Sequence, residues 1–225
     1  MIFELVILYV TMFVMKEIEI NNITIKDYSL TEQLALIRGY LKDQGVHTVS
    51  YLSSSMVMSM GDDEFQREMV RELDLVILTD AYRHSDGEAV VGGSIDGKAD
   101  DFLENMLRQA AAAGEEIFIV SDSKEKLEEL ENALRLVDER TTYCGKCVTE
   151  KTDRDTMYND INCRLPKFVI LSMSWKMQGE IMREARRFLT VPVVLGINPQ
   201  MVRNINSGHK LGKKGILDFL QIGKK

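Results

Sequence analysis

The chain has 225 residues, 45% of them hydrophobic, with Lys+Arg 28 against Asp+Glu 35 and a formal net charge of -7. That apolar content suffices for a buried core, and the acidic balance argues against a nucleic-acid groove, which needs clustered Lys and Arg. Three cysteines, an odd number with no leader pattern, point to reduced thiols in a cytoplasmic protein rather than to a disulfide framework.

In chain order, residues 1–14, MIFELVILYVTMFV, are almost wholly apolar. They are shorter than the roughly 20 residues that span a bilayer. They also carry Glu4 and lack the basic region and small-residue cleavage site of a secretion signal. Three readings stay open: an extension packed on the domain or on a second copy of the chain, a peripheral contact at the inner face of the membrane, or a false start upstream of Met15. Residues 15–225 read as a single α/β domain, because short apolar runs alternate with helical patterns. No internal repeat, low-complexity segment or proline-rich linker divides them.

Ser29 and Glu32 have capping-box spacing ahead of Leu30, Leu34, Ile37 and Leu41, which share one helical face, with Gly45 as the stop. VHTVSYL (46–52), DLVILT (74–79), EIFIV (116–120), KFVILSM (167–173) and VPVVLGI (191–197) are predicted strands. Four of these five runs lack strict alternation, which places them at the centre of a sheet covered on both faces. Helices are predicted over 62–73, where Asp62 and Asp63 favour the positive end of the dipole, and over 100–114, 123–140, 177–189 and 215–222. Residues 81–99, rich in Gly, Asp and Ser, read as a long loop or lid over the strand ends. CGKC at 144–147 has the spacing of zinc sites and redox dithiols; plain free thiols, a zinc site completed by Cys163 and His209, and a redox pair are all compatible with it. From Arg203 onward six Lys or Arg stand against the single Asp218, which reads as a solvated end or as a contact for phosphates or an anionic membrane.

In an open parallel sheet, ligands bind outside the carboxyl ends of the strands. The residues that follow the predicted strands are 53–55, 79–84, 121–123, 174–178 and 198–200, and each group is polar. Asp80 ends the run DLVILTD beside Tyr82, Arg83 and His84. A carboxylate shielded by the loop that follows suits a general base acting on a hydroxyl nucleophile, or else it caps that loop. Trp175, the only tryptophan, sits in SWKMQG either as a plug for the turn or as a platform for a base or sugar ring. No GxGxxG, GxxxxGK[ST], HExxH or GxSxG motif occurs, so the common dinucleotide, P-loop, zincin and hydrolase chemistries have no support.

These blocks, in this order, resemble the WecG/TagA/CpsF glycosyltransferases, glycosyltransferase family 26, from about Lys16 to Asp218. MKEIEINNITIKDYSLTEQLALI is similar to the family's opening strand, hairpin and first helix. SYLSSSMVMSMGDDEFQREMVRELDLVILTDA resembles the stretch from a Thr-x-Asn strand end to an aspartate followed by glycine. GKADDFLENMLRQAAAAGEEIFIVSDSKEKLEEL resembles the segment with a Gly-Gly turn, and LPKFVILSMSWKMQGEIMREARRFLTVPVVLGINPQMVRNINSGHKLG the one with Pro-Lys-Gln-Glu.

The resemblance implies a Rossmann-like α/β fold, mostly parallel with helices on both faces. It also implies an inverting hexosyltransferase that moves N-acetylmannosamine from UDP to a polyprenyl-diphosphate-linked GlcNAc for bacterial cell-surface polysaccharide. It puts the base on Asp80 and sugar or acceptor hydroxyls on Ser53 and Gln178, with further substrate contacts on Ser121, Trp175 and Asn198. Diphosphate neutralisation falls to Arg203 with Lys210, Lys213 and Lys214, so no metal or other cofactor is expected. The implied partners are the UDP-sugar, the lipid-linked acceptor and a peripheral membrane contact, without nucleic acid, while a homo-oligomer stays open.

This chain departs from the pattern at several places. Ala81 follows Asp80, Tyr51, Leu52 and Ser53 stand for Thr-x-Asn, and Lys176 and Gly179 stand for the proline and glutamate around Gln178. Ser121 and Asp122 replace Gly-Gly, which adds bulk and negative charge where a diphosphate would approach and implies a low or altered UDP affinity. Two other functions follow from the same residues: a non-catalytic binding or interaction protein on this fold, and a thiol or metal protein built on CGKC.

Overall fold

The computed structural model describes residues 16–80, 82–83, 89–90, 98–149 and 151–206. It opens with a hairpin, β1 (Lys16–Ile20) and β2 (Ile23–Asp27), paired antiparallel. Asn21 and Asn22 join the strands with φ of 52° and 60°, the left-handed two-residue turn whose twist matches the flanking strands and which asparagine tolerates. Alternation then puts Ile18, Ile20, Ile23 and Ile25 on one buried face.

Helix α1 (Leu30–Tyr40) starts at the expected capping box, in which the Ser29 hydroxyl accepts from Glu32 N–H and the Glu32 carboxylate accepts from Ser29 N–H. It ends at Tyr40 with Leu41 as its cap, short of Gly45. There follow β3 (His47–Leu52), α2 (Ser54–Ser59), α3 (Glu64–Arg71), β4 (Leu75–Leu78), and a small antiparallel pair, β5 (Tyr82–Arg83) with β6 (Ala89–Val90). The chain continues through α4 (Lys98–Ala113), β7 (Glu116–Ser121), α5 (Lys124–Val137), β8 (Thr142–Cys147) and α6 (Arg154–Arg164). It closes with β9 (Phe168–Ser172), α7 (Trp175–Phe188), β10 (Val193–Gly196) and α8 (Pro199–Asn206).

Six strands form one parallel sheet in the order β4-β3-β10-β9-β7-β8. Helices lie on both faces, which makes the fold Rossmann-like α/β as expected. On one face α1, α4, α5 and α8 bury Leu34, Phe102, Leu134 and Met201 against Val49, Ile119 and Leu195. On the other, α6 and α7 bury Met157, Ile161, Ile181 and Ala185 against Phe118, Val169 and Val194. The hairpin, α2 and α3 enclose a third apolar cluster around Leu52, Val57 and Leu78.

The sheet corrects one sequence expectation. Strand β4 lies at an edge rather than at the centre; Leu75 and Ile77 are nevertheless buried in the core against α1 and α4, and Leu78 in the cluster under the hairpin. The segment around CGKC, for which the sequence suggested no element, is the opposite edge strand, β8. Gly145 lets the Leu127 side chain of α5 approach that strand closely; a Cβ there would make Leu127 shift. Likewise α7 packs on α3 through Gly179, where a Cβ would strike the thioether of buried Met69.

Among the described residues no helix is long and apolar enough to cross a membrane. The apolar 1–14 segment, most of the expected lid at 81–99, and the basic tail with its expected helix at 215–222 lie outside the described residues.

Candidate functional site

All six strands end on the same side, so the polar residues after them share one edge. The connections from β7 to β8 and from β9 to β10 leave two adjacent strands in opposite directions. The carboxyl ends of β7 and β9 therefore flank the topological switch point, where a crevice opens in sheets of this kind. Asp80 lies at the far end of the edge, past β4. Three strand spacings of about 4.8 Å separate β4 from β9, roughly 14 Å in all.

Asp80 is half-buried, and both of its carboxylate oxygens are engaged. Oδ1 accepts from the Ser54 backbone N–H at 2.6 Å and Oδ2 from the Ser54 hydroxyl at 2.9 Å. Ser54 is itself 8% exposed. This pair ties the turn after β3 to the turn after β4 and fixes the carboxylate plane. Ser53, one residue earlier, caps α2: its Oγ accepts from Met56 N–H at 3.1 Å and lies 3.0 Å from Ser55 Oγ. The run of three serines after β3 thus splits into a cap, an aspartate holder and a partner for the cap.

Ser121 and Gln178 are inside the protein. The Ser121 hydroxyl is fully buried between the carbonyls of Ser123 and Ser172, each at 3.0 Å. Gln178 is 5% exposed, and its amide donates to Met173 O at 2.8 Å and Ile197 O at 3.0 Å. It therefore fastens the β9–α7 turn to the end of β10. A Cβ on Gly196 would strike Gln178 Oε1, so the glycine makes room for this amide.

Trp175 opens α7 and packs against the cluster under the hairpin, and its indole N–H is buried with no partner among the described residues. That placement makes it a plug between α7 and the hairpin. Asn198 turns back to its own helix, with Oδ1 accepting from Gln200 N–H at 2.9 Å. Arg203 is exposed on α8 and reaches Gln200 Oε1 at 3.3 Å. Lys210 lies outside the described residues, as do Lys213 and Lys214.

Beside the switch point a cavity of about 190 Å³ opens between the end of β8 and the start of α7, lined by Thr149, Thr152, Arg154, Ser174, Lys176 and Glu180 among others. Arg154 is fixed there by Glu180 at 2.5 Å and Glu184 at 2.7 Å. Tyr158 donates to Glu184 at 2.6 Å, and burial first, then that carboxylate, pushes its phenol well above the ordinary value.

Sequence reading missed Ser54 as the holder of Asp80 and overlooked an ion pair at the start of α5. Lys126 Nζ binds Asp122 at 2.8 Å, and Asp122 Oδ2 accepts from Ser174 N–H at 3.2 Å. The Asp-x-x-x-Lys spacing was the available signal, since residues four apart meet on a helical face.

The CGKC thiols divide between the two faces of β8, as residues three apart on a strand must. Their Cα atoms are roughly 10 Å apart on an extended strand, beyond the ~7 Å limit for a disulfide. Neither a redox pair nor two-thiol chelation fits this geometry, and both thiols are free. Among the described residues no group of three or more His, Cys, Asp or Glu could hold a metal ion.

No curated protein matches the chain. A family model does: that of the glycosyl transferase WecG/TagA/CpsF family, over residues 18–199. The matched span runs from the first buried isoleucine of β1 to the first residue of α8 and includes all six strands of the sheet, Asp80 and the switch point. Since the match covers most of the chain and the sheet has the expected architecture, the protein belongs to the WecG/TagA/CpsF family of glycosyltransferases.

Proposed function

We propose that the chain transfers N-acetylmannosamine, or a closely related hexosamine, from UDP to a polyprenyl-diphosphate-linked GlcNAc, with inversion at the sugar carbon and Asp80 as general base. The observation that carries this reading is the carboxylate of Asp80, half-buried at the ligand edge and oriented by Ser54 through two hydrogen bonds. Each carboxylate oxygen keeps a second lone pair. One of these takes the proton of the acceptor hydroxyl as its oxygen bonds to the sugar C1. The C1–O bond to the β-phosphate then breaks, and UDP leaves with the electron pair. A donor and acceptor lying end to end fit the separation of about 14 Å between the ends of β4 and β9. A lipid-linked acceptor calls for a transient contact with the membrane surface.

Calorimetric titration with UDP and UDP-N-acetylhexosamines tests the donor half, and no heat at millimolar ligand rejects it. Turnover by Asp80→Asn tests the base: activity should vanish while the protein stays folded, and unchanged activity removes the role.

A second reading, a non-catalytic member of the family, is favoured by Ser121 and Gln178, whose hydrogen-bonding groups are spent inside the protein. It predicts tight binding to a protein or glycan partner without turnover of any UDP-hexosamine.

A further inference from the structure

The switch-point crevice is bridged by the protein's own charge. Asp122 is the first residue after β7, and its carboxylate reaches across to the backbone N–H of Ser174, the second residue after β9, at 3.2 Å. Both of its oxygens also take Lys126 Nζ, at 2.8 and 3.0 Å. A backbone N–H and an ammonium are the donors that a phosphoryl oxygen uses. On the α7 side the Ser174 hydroxyl makes no cap, so it does not compete for this space, and the cavity lined by Ser174, Lys176 and Arg154 opens directly beside it. Asp122 and Lys126 are 20% and 32% exposed, so the pair is part-buried but still open to solvent at the sheet edge.

We propose that Asp122 is an internal competitor for the diphosphate of the donor, and that Lys126 is the cation handed from Asp122 to the phosphoryl oxygens when the donor enters. The proposal rests on the UDP-sugar reading and names the residues that set ligand charge at this site. A bound diphosphate takes over the Ser174 N–H and Lys126 Nζ, and the displaced carboxylate turns to solvent. With the carboxylate in place the crevice rejects weakly charged or poorly fitting anions. Donor affinity is lower than the cation and backbone donor alone would give.

Calorimetric titration of the full chain with inorganic pyrophosphate and with UDP, at fixed ionic strength, tests this on wild type, Asp122→Asn, Asp122→Ser and Lys126→Gln. Both Asp122 variants should bind pyrophosphate about tenfold more tightly than wild type, and Lys126→Gln about tenfold more weakly, the scale of one charge-assisted hydrogen bond. Two aspartate variants are used so that a folding defect in one, seen as a lowered melting midpoint, leaves the other to report. Equal pyrophosphate affinity in wild type and the folded variants overturns the proposal. UDP bound equally by wild type and both variants removes the competition while the donor reading stands. A gain for pyrophosphate, with UDP bound by none of the proteins, keeps the competition and removes the nucleotide. Neither ligand binding any of the four proteins overturns both.

Discussion

Single residues at the edge do two jobs, and the chemistry of each side chain decides which. Asp80→Asn replaces two charge-assisted hydrogen bonds to Ser54 by neutral ones, the Ser54 hydroxyl turning to accept from the amide nitrogen. A stability loss of about 1 kcal/mol is expected, read as a shifted urea midpoint, alongside loss of turnover. A second expectation concerns alkaline pH. The Tyr40 phenol is pushed up to about 12, first by burial and then by the Asp74 charge, and Tyr158 is raised further by burial and Glu184. The folded state thus prefers both rings protonated. This contribution is fully present below about pH 10, where the unfolded phenols titrate, and is lost as pH rises through the folded value. Urea midpoints measured from about pH 9 to 12 should fall less steeply in Tyr40→Phe/Tyr158→Phe than in wild type. Asp80 was legible in the sequence because it ends an apolar run. The burial of Gln178 was not, since it depends on where the β10 end meets α7, a contact that no spacing along the chain reveals.

At the scale of elements, the apolar runs were legible from their continuous hydrophobic content and the capping box at Ser29 from the spacing of Ser29 and Glu32. Strand β8 was hidden: TYCGKC carries no apolar alternation and holds a glycine that Leu127 packs against closely. Helix α6 was hidden as well, for it buries only Met157, Tyr158 and Ile161 amid charged residues, and α2 is six residues long inside a serine run. Packing between α3 and α7 gives a sharper test. Gly179→Ala should raise helix propensity by about 1 kcal/mol yet destabilise the protein by about 1 to 3 kcal/mol net, because the new methyl meets Met69. Combining it with Met69→Ala should cost less than the sum of the single changes; strict additivity in a denaturation cycle would mean the two side chains do not meet. Strand geometry also predicts that mild oxidation yields no Cys144–Cys147 disulfide, which peptide mass mapping checks directly.

For the whole molecule, the α/β class could be read from the alternation of elements, but the order of the strands could not. Nothing local in VPVVLGI says that it will lie between β9 and β3. Strand β10 pairs on one side with β9 and on the other with β3, so that Val193 meets both Phe168 and His47. Replacing Val194, fully buried there, by Asp should therefore unfold the β3–β4 and β7–β9 parts together, and hydrogen exchange that stays protected in either part would contradict such coupling. The position of this strand also sets a constraint during biosynthesis. The ribosome delivers β3 early and β10 late, so the two parts of the sheet cannot join until Val193–Gly196 has left the exit tunnel. Until then β3 and β9 each present an open strand edge to neighbouring chains. A nascent chain stalled before β10 is thus the species most prone to pair with another of its kind, and the one for which a chaperone that shields strand edges matters most.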